Sequence, residues 1–175
     1  PRVTVKAGKF FAAFGKHNTL HRHAFPFIDA PLVHQQILSE EALNDAGVSA
    51  SFLLPTAWYS EVIVQALNAG NESLYSSPRS GDLAGVVRLK NLWDLSDALT
   101  MEFGVSGTRG QNANAVSSSA LGGDLTFKWR PASGGKYRSL AWSTEYIQGQ
   151  DFISDPSGAA LQIEKLGGIA SWVQY

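Results

Sequence analysis

The sequence predicts an all-β fold: an antiparallel transmembrane β-barrel, read as part of a larger barrel, with long loops on one side and short turns on the other. Three observations carry this reading. Apolar and polar residues alternate with period two through a series of segments. The connections between those segments alternate between short and long. Tryptophan and tyrosine gather beside the short connections. A soluble β-sandwich would show the first feature alone, its oily face then meeting a second sheet.

Taken in order, strand-like runs lie near 2–14, 46–55, 58–69, 83–91, 97–107, 121–130, 137–148 and 168–175. The first carries Lys6 on its polar side, with Gly8 as a candidate bulge. In the second, Val48, Ala50, Phe52 and Leu54 alternate with Ser49 and Ser51. The third sets Val62, Val64 and Ala66 against Glu61, Ile63 and Gln65. The fourth sets Leu83, Gly85, Val87 and Leu89 against Ala84, Val86, Arg88 and Lys90. The fifth is the cleanest: Leu99, Met101, Phe103 and Val105 share one face, Thr100, Glu102 and Ser106 the other. In the sixth, Leu121, Leu125, Phe127 and Trp129 oppose Asp124, Thr126 and Lys128. The seventh places Leu140, Trp142 and Tyr146 against Ser139, Ser143 and Glu145, and the last run is less regular.

The connections "LPTAW", "NLWDLSD" and "RPASGGK" are short and rich in turn residues. Those at 15–45, 70–82, 108–120 and 149–167 read as long polar loops, the first of them unusually apolar. Trp58, Tyr59, Trp93, Trp129 and Tyr137 sit in or beside the short turns, and Trp172 and Tyr175 lie toward the same end of the last strand. Indole and phenol rings favour a bilayer–water interface because one end is apolar and the other hydrogen-bonds. The aromatic clustering therefore places lipid on the oily face. Centring the "NLWDLSD" turn near residue 95 would set Arg88 opposite Glu102.

The 175 residues suffice for one domain, read as 1–175, a single barrel domain or a fragment of one. A formal net charge of -1 gives no nucleic-acid footprint. Charged residues are only 17%, and there is no Cys, which excludes disulfides and thiolate metal sites. No apolar run reaches the roughly 20 residues of a transmembrane helix, which leaves a barrel open. The start, "PRVTVKAGKF", has neither an initiator Met nor a signal peptide and reads as a processed chain or a piece of a longer one.

Residues 6–70 carry a resemblance: "GKFFAAFGKHN" leaving a strand, "LHRHAFPFIDAPLV" in the loop, "EEALNDAGVSASFLLP" entering the next strand and "WYSEVIVQALNAG" after the turn. This stretch resembles a family of Gram-negative outer-membrane porin-like barrels. Its members are sometimes labelled zinc-regulated or TonB-dependent outer-membrane receptors, and they are loosely akin to phosphate-selective porins. The resemblance implies an outer-membrane barrel that passes small solutes, or a receptor-like barrel, and a parent chain longer than these residues. No energy-coupling box or plug domain is read in this stretch.

Three features could carry function. "HNTLHRH" brings His17, His21 and His23 within seven residues; imidazoles at this density suit Zn²⁺, with Asp29, Glu40 or Glu41 completing the shell. "HAFPFIDAPLVHQQIL" is too apolar for a solvated loop and reads either as a constriction inside the barrel or as packing at its mouth. Lys6, Glu61, Gln65, Arg88, Lys90, Glu102, Asp124, Lys128 and Glu145 form the polar face and would line a pore; their near-balanced charge implies weak ion selectivity. No nucleophile elbow, phosphate loop or His-Glu-x-x-His occurs, so neither an enzyme nor an organic cofactor is indicated. The expected partners are the lipid bilayer and small solutes. The rival reading is a structural barrel whose long loops bind an outer-membrane protein.

Overall fold

A computed structural model describes residues 2–21, 24–25, 27–39, 42–70, 74–79, 81–131, 138–154 and 161–175. Eight strands form one sheet: β1 (Val3–Phe11), β2 (Asn44–Leu53), β3 (Tyr59–Leu67), β4 (Ala84–Ser96), β5 (Leu99–Gln111), β6 (Ser117–Trp129), β7 (Leu140–Ser154) and β8 (Leu161–Gln174). They pair in sequence order, each antiparallel to the next. The fold is therefore an all-β antiparallel meander, as the periodicity implies. The sheet does not close on itself: β1 and β8 are its two edges.

Burial on this sheet is inverted relative to a soluble one. In β4, Val87 is 52% exposed while its neighbour Arg88 is 3% exposed. Across the sheet the apolar set is open: Val48, Val64, Phe103, Val105 and Leu121 are exposed, and Val62, Leu99, Met101, Leu125 and Phe127 are half-buried. The polar set is covered: Ser49, Gln65, Ser106, Thr126 and Glu145 are buried. No second sheet packs on the apolar face among the described residues.

The cover comes from the chain itself. The β1–β2 connection folds over the polar face and includes a helix, α1 (Leu32–Leu38), where the sequence suggested only a loop. Phe14, Ile37, Leu38 and Leu43 from this connection, with Leu74 and Tyr75 from the β3–β4 connection, form a buried core with Leu67, Val86, Ala120 and Ile147 of the sheet. Glycines on the covered face make room for it. A Cβ on Gly122 would come within 3.1 Å of the Phe14 ring, and one on Gly149 within 2.8 Å of Ile37.

Two expectations need correction. The β4–β5 hairpin turns at 97–98, so Arg88 pairs with Ser106 rather than Glu102, four residues beyond the expected partner. Asn, Asp and Ser made "NLWDLSD" look like a loop, but Leu92 and Trp93 continue the strand and leave a two-residue turn. The shift is even, so every side chain keeps its expected face. The short–long alternation also holds only in part. The β1–β2 and β3–β4 connections are long, but β5 and β6 run on to leave 112–116, and β7 and β8 leave 155–160. The 130–139 connection on the opposite side is longer than either.

The turn-end aromatics share a level on the apolar face only in part: Trp58 and Trp93 do, Trp129 pairs with Leu99 two positions beyond that row, and Tyr59 lies on the polar face with its hydroxyl on Glu61. Trp93, Met101, Phe127 and Trp142 follow one another in register, and Trp58 lies 6.1 Å from Trp93 between ring centres. Trp172 departs from that set: it pairs with Ser143 on the covered face and packs against the β1–β2 loop. Tyr137 lies outside the described residues.

Because Phe14 rests directly on Gly122, Gly122→Leu is expected to unseat the loop and cost about 1–3 kcal/mol, read by urea denaturation. Gly85→Ala, with nothing nearer than 4.0 Å, is expected to stay within about 0.5 kcal/mol of the parent.

Candidate functional site

The strand register puts all nine proposed wall residues on one face. Gln65, Arg88, Glu102, Asp124 and Glu145 are buried. Glu61 and Lys90 are half-buried, and Lys6 and Lys128 are exposed. Lys6 sits over the Phe10 ring at 4.4 Å, and Glu61 accepts a 2.8 Å hydrogen bond from the Tyr59 hydroxyl.

The segment Ala13–His17 crosses this wall like a strap. Its alternate backbone N–H groups donate to wall side chains on three different strands: Ala13 to Gln65 Oε1 at 2.7 Å, Gly15 to Ser106 Oγ at 3.0 Å and His17 to Glu145 Oε2 at 3.0 Å. Lys16 donates to Thr126 Oγ1 at 2.8 Å. Gly15 adopts φ +60°, and the Glu145 carboxylate occupies the space that a side chain there would need. Asn18 locks the ends of the loop together: Nδ2 donates to the carbonyls of Ala12 and Leu43, and Oδ1 accepts from Leu43 N–H.

Charge on the wall is compensated locally. Arg88 Nη1 lies 2.8 Å from Asp124 Oδ2, Nη2 donates to Oδ1 at 3.0 Å, and Nη1 also reaches Ser106. This pair spans β5 diagonally and replaces the expected Arg88–Glu102 pair. It is possible because position 104, between the two, is a glycine. Glu102 is shared instead by Lys16 at 3.4 Å and Lys90 at 3.8 Å.

The histidines assemble differently from their spacing in the sequence. His17 is buried in a cage of Phe25, His34, Phe27 and Trp172, at ring-centre distances of 4.3, 4.8, 5.6 and 5.9 Å. Burial, then the neighbouring His34, holds its pKa down to about 4. His34 is also buried, with Nε2 3.3 Å from Glu145 Oε1. His21 is exposed and sets its edge on Phe11. His23, Glu40 and Glu41 lie outside the described residues, and Asp29 is exposed. The structure therefore brings His17 to His34 rather than to His21, and among the described residues no three His, Asp or Glu side chains are grouped to hold a metal. A cavity of about 220 Å³ opens beside the pair, lined by Phe11, His17, Asn18, Leu20, Phe25 and His34 among others.

Lys16 and His34 were not singled out by sequence as contacts of the wall, nor Asn18 as the clamp of the loop ends. The wall partners of Lys16 and His34 lie 86 to 111 positions away, and Asn18 joins Ala12 to Leu43, relations that no local pattern encodes.

No protein-family model matches the chain, and no solved structure does. An uncharacterized protein of Aquifex aeolicus is 27% identical over 201 aligned positions, which cover 98% of this chain and 41% of that protein. The chain thus spans about two fifths of the length of that relative.

Removing one partner of a buried ion pair strands the other. Asp124→Ala is expected to cost about 3–5 kcal/mol in denaturant unfolding. The double replacement Arg88→Met with Asp124→Leu, which leaves no charge behind, is expected to cost markedly less.

Proposed function

We propose that this chain is a large part of an outer-membrane porin-like β-barrel that passes small solutes or ions by diffusion, with the β1–β2 loop narrowing its interior. The observation that carries the reading is the inverted burial: an open apolar face and a covered face rich in paired charges. A hydrocarbon environment accounts for the first, and a hydrated interior for the second. The turn-level aromatics on the apolar face fit an interfacial girdle. The resemblance of residues 6–70 to porin-like barrels points the same way.

The edges support a larger barrel. All of β1 from Val3 to Lys9 is exposed, on both faces, and so are Gln162–Gly167 of β8, whereas β4 alternates from Ala84 to Leu89 and β5 to β7 alternate over their centres. Additional strands pairing with β1 and β8 would cover both, and the greater length of the Aquifex relative leaves room for them. In this reading nothing chemical happens to the solute. The wall charges, compensated by Arg88–Asp124 and by Lys16, Lys90 and Glu102, give a polar path with weak ion preference.

One observation favours a second reading, a barrel that binds a partner protein through its loops. Ile28, in the β1–β2 loop, is 92% exposed, and Leu32 is exposed beside it.

Planar-bilayer recording on the full-length protein separates the two. A conduit gives discrete conductance steps, and Asn18→Ala, which unlocks the loop ends, gives larger steps. A silent bilayer with correctly inserted protein supports the interaction barrel. Independently, Phe103→Arg on the apolar face is expected to lose about 2–4 kcal/mol of stability in lipid if the site lies near the bilayer midplane. An unchanged value would remove lipid from that face.

A further inference from the structure

We propose that the loop-side end of the apolar face is a docking site for anionic lipids, whose headgroup phosphates are held by Arg109 and Lys165. The inference rests on the reading of that face as lipid-facing and names the class of lipid it selects.

The strand register sorts the charges of the sheet by face. On the covered face acids and bases mix, and Arg88 meets Asp124 as Lys90 meets Glu102. On the apolar face the charged strand residues, among those described, are Lys9, Arg109 and Lys165, and all are basic. Each is exposed, and none forms an ion pair among the described residues. The chain holds 14 basic and 15 acidic residues, so overall composition does not account for the single sign.

The three also lie at one end. Lys9 and Arg109 each come two residues before the end of their strands, β1 and β5, and Lys165 comes four residues after the start of β8. Arg109 and Lys165 share a row of the sheet through Ser119 and Gln150. The opposite end of the face carries the row of Trp93 and Trp142 instead. From Met101 in that row to Arg109 is eight residues along β5. At about 3.4 Å per residue and a strand tilt of about 40°, this is about 21 Å along a bilayer normal. Such barrels carry an apolar band of about 25 Å, so a long basic side chain at its far edge reaches the headgroup layer.

Arg109 is held so as to present its charge. Its Nε–H donates to Ser117 Oγ at 2.6 Å, which orients the guanidinium and leaves both Nη groups without a partner among the described residues. A planar fork of this kind matches two phosphate oxygens. Beside it, Gly85 and Gly107 lie with Val87 and Leu121 along a shallow groove in the apolar face. An acyl chain lying in that groove sets its headgroup against Arg109. Three strand spacings of about 4.8 Å put Lys165 about 14 Å away, so the two side chains hold separate phosphates. A zwitterionic headgroup brings its own cation to the phosphate, whereas an anionic one leaves the charge for the protein to meet.

The test uses the full-length protein in phosphatidylcholine vesicles with a trace of phosphatidylglycerol or phosphatidylcholine spin-labelled on the acyl chain. Electron spin resonance reads the fraction of each label that the protein surface immobilises. The expected result is immobilisation of both, with phosphatidylglycerol favoured about twofold at low salt, because a roughly fivefold preference at the basic row is averaged with none elsewhere. Arg109→Gln combined with Lys165→Gln is expected to bring the two labels level. Arg79→Gln removes an exposed basic charge from the β3–β4 connection on the same side and is expected to keep the preference. Should the double variant fail to insert, Arg109→Gln alone takes its place, with a partial loss expected. Immobilised phosphatidylcholine without preference for phosphatidylglycerol overturns the proposal, leaves the lipid-facing reading standing and gives the basic row to a protein partner. A preference that survives the substitutions overturns the proposal as well. Immobilisation of neither label overturns both the proposal and the lipid-facing reading.

Discussion

A sheet that turns its polar groups inward must find partners for them, and in this chain the Ala13–His17 strap supplies several. Gln65, Ser106 and Glu145 stand on three strands, and none could satisfy its acceptors by packing against apolar side chains. The strap offers them alternate backbone N–H groups, which would otherwise be orphaned in a buried crossing. Loop and wall thus solve the same problem for each other. The Asn18 clamp on Ala12 and Leu43 makes the strap the base of a closed loop rather than a stray segment.

The covered face is divided along its length, and the division explains how a polar wall can hold an apolar loop. Near the loop end it carries Leu67, Ala84, Val86, Ala120 and Ile147, on which Phe14, Leu38 and Leu43 pack. Further toward the turns it carries Arg88, Glu102, Asp124 and Thr126, which pair among themselves and with Lys16. Burial of the first group holds the loop down. The second group stays hydrophilic and locally neutral, the character that a diffusion path for small solutes would need. Small residues at Gly104, Gly122 and Gly149 let both halves approach the backbone closely.

Much of this was legible in the sequence because period two reports faces directly. The second to seventh strands and the side on which most of their charges lie follow from alternation, whereas the last run, read at 168–175 without a regular pattern, begins at Leu161. What alternation cannot report is register, since an even slip leaves every face unchanged; hence the Arg88–Asp124 pair, a diagonal across β5, was not foreseen. Nor can it recognise a strand whose two faces are both small or polar. Gly110, Ser118 and Ala120 looked like loop because of their composition, yet they are strand positions buried beneath the β1–β2 and β3–β4 connections. The loop–wall contacts of Lys16 and His34 link residues more than eighty positions apart. The brief α1, with no side-chain cap, leaves almost no local signal either.

The central claim is that the apolar face meets lipid while the polar face is sealed by the chain's own loop. This stretch contains no Cys, so single cysteines report cleanly. Spin labels placed one at a time at Val64, Val87, Phe103 and Leu121, and at Ser49, Ser106 and Thr126, in the full-length protein in lipid nanodiscs give the accessibility of each site to oxygen and to a water-soluble nickel chelate. The account predicts high oxygen and low nickel accessibility at the first four sites, and restricted access to both at the last three. Nickel access at Val87 and Phe103, or protection of those sites from both reagents, would contradict it.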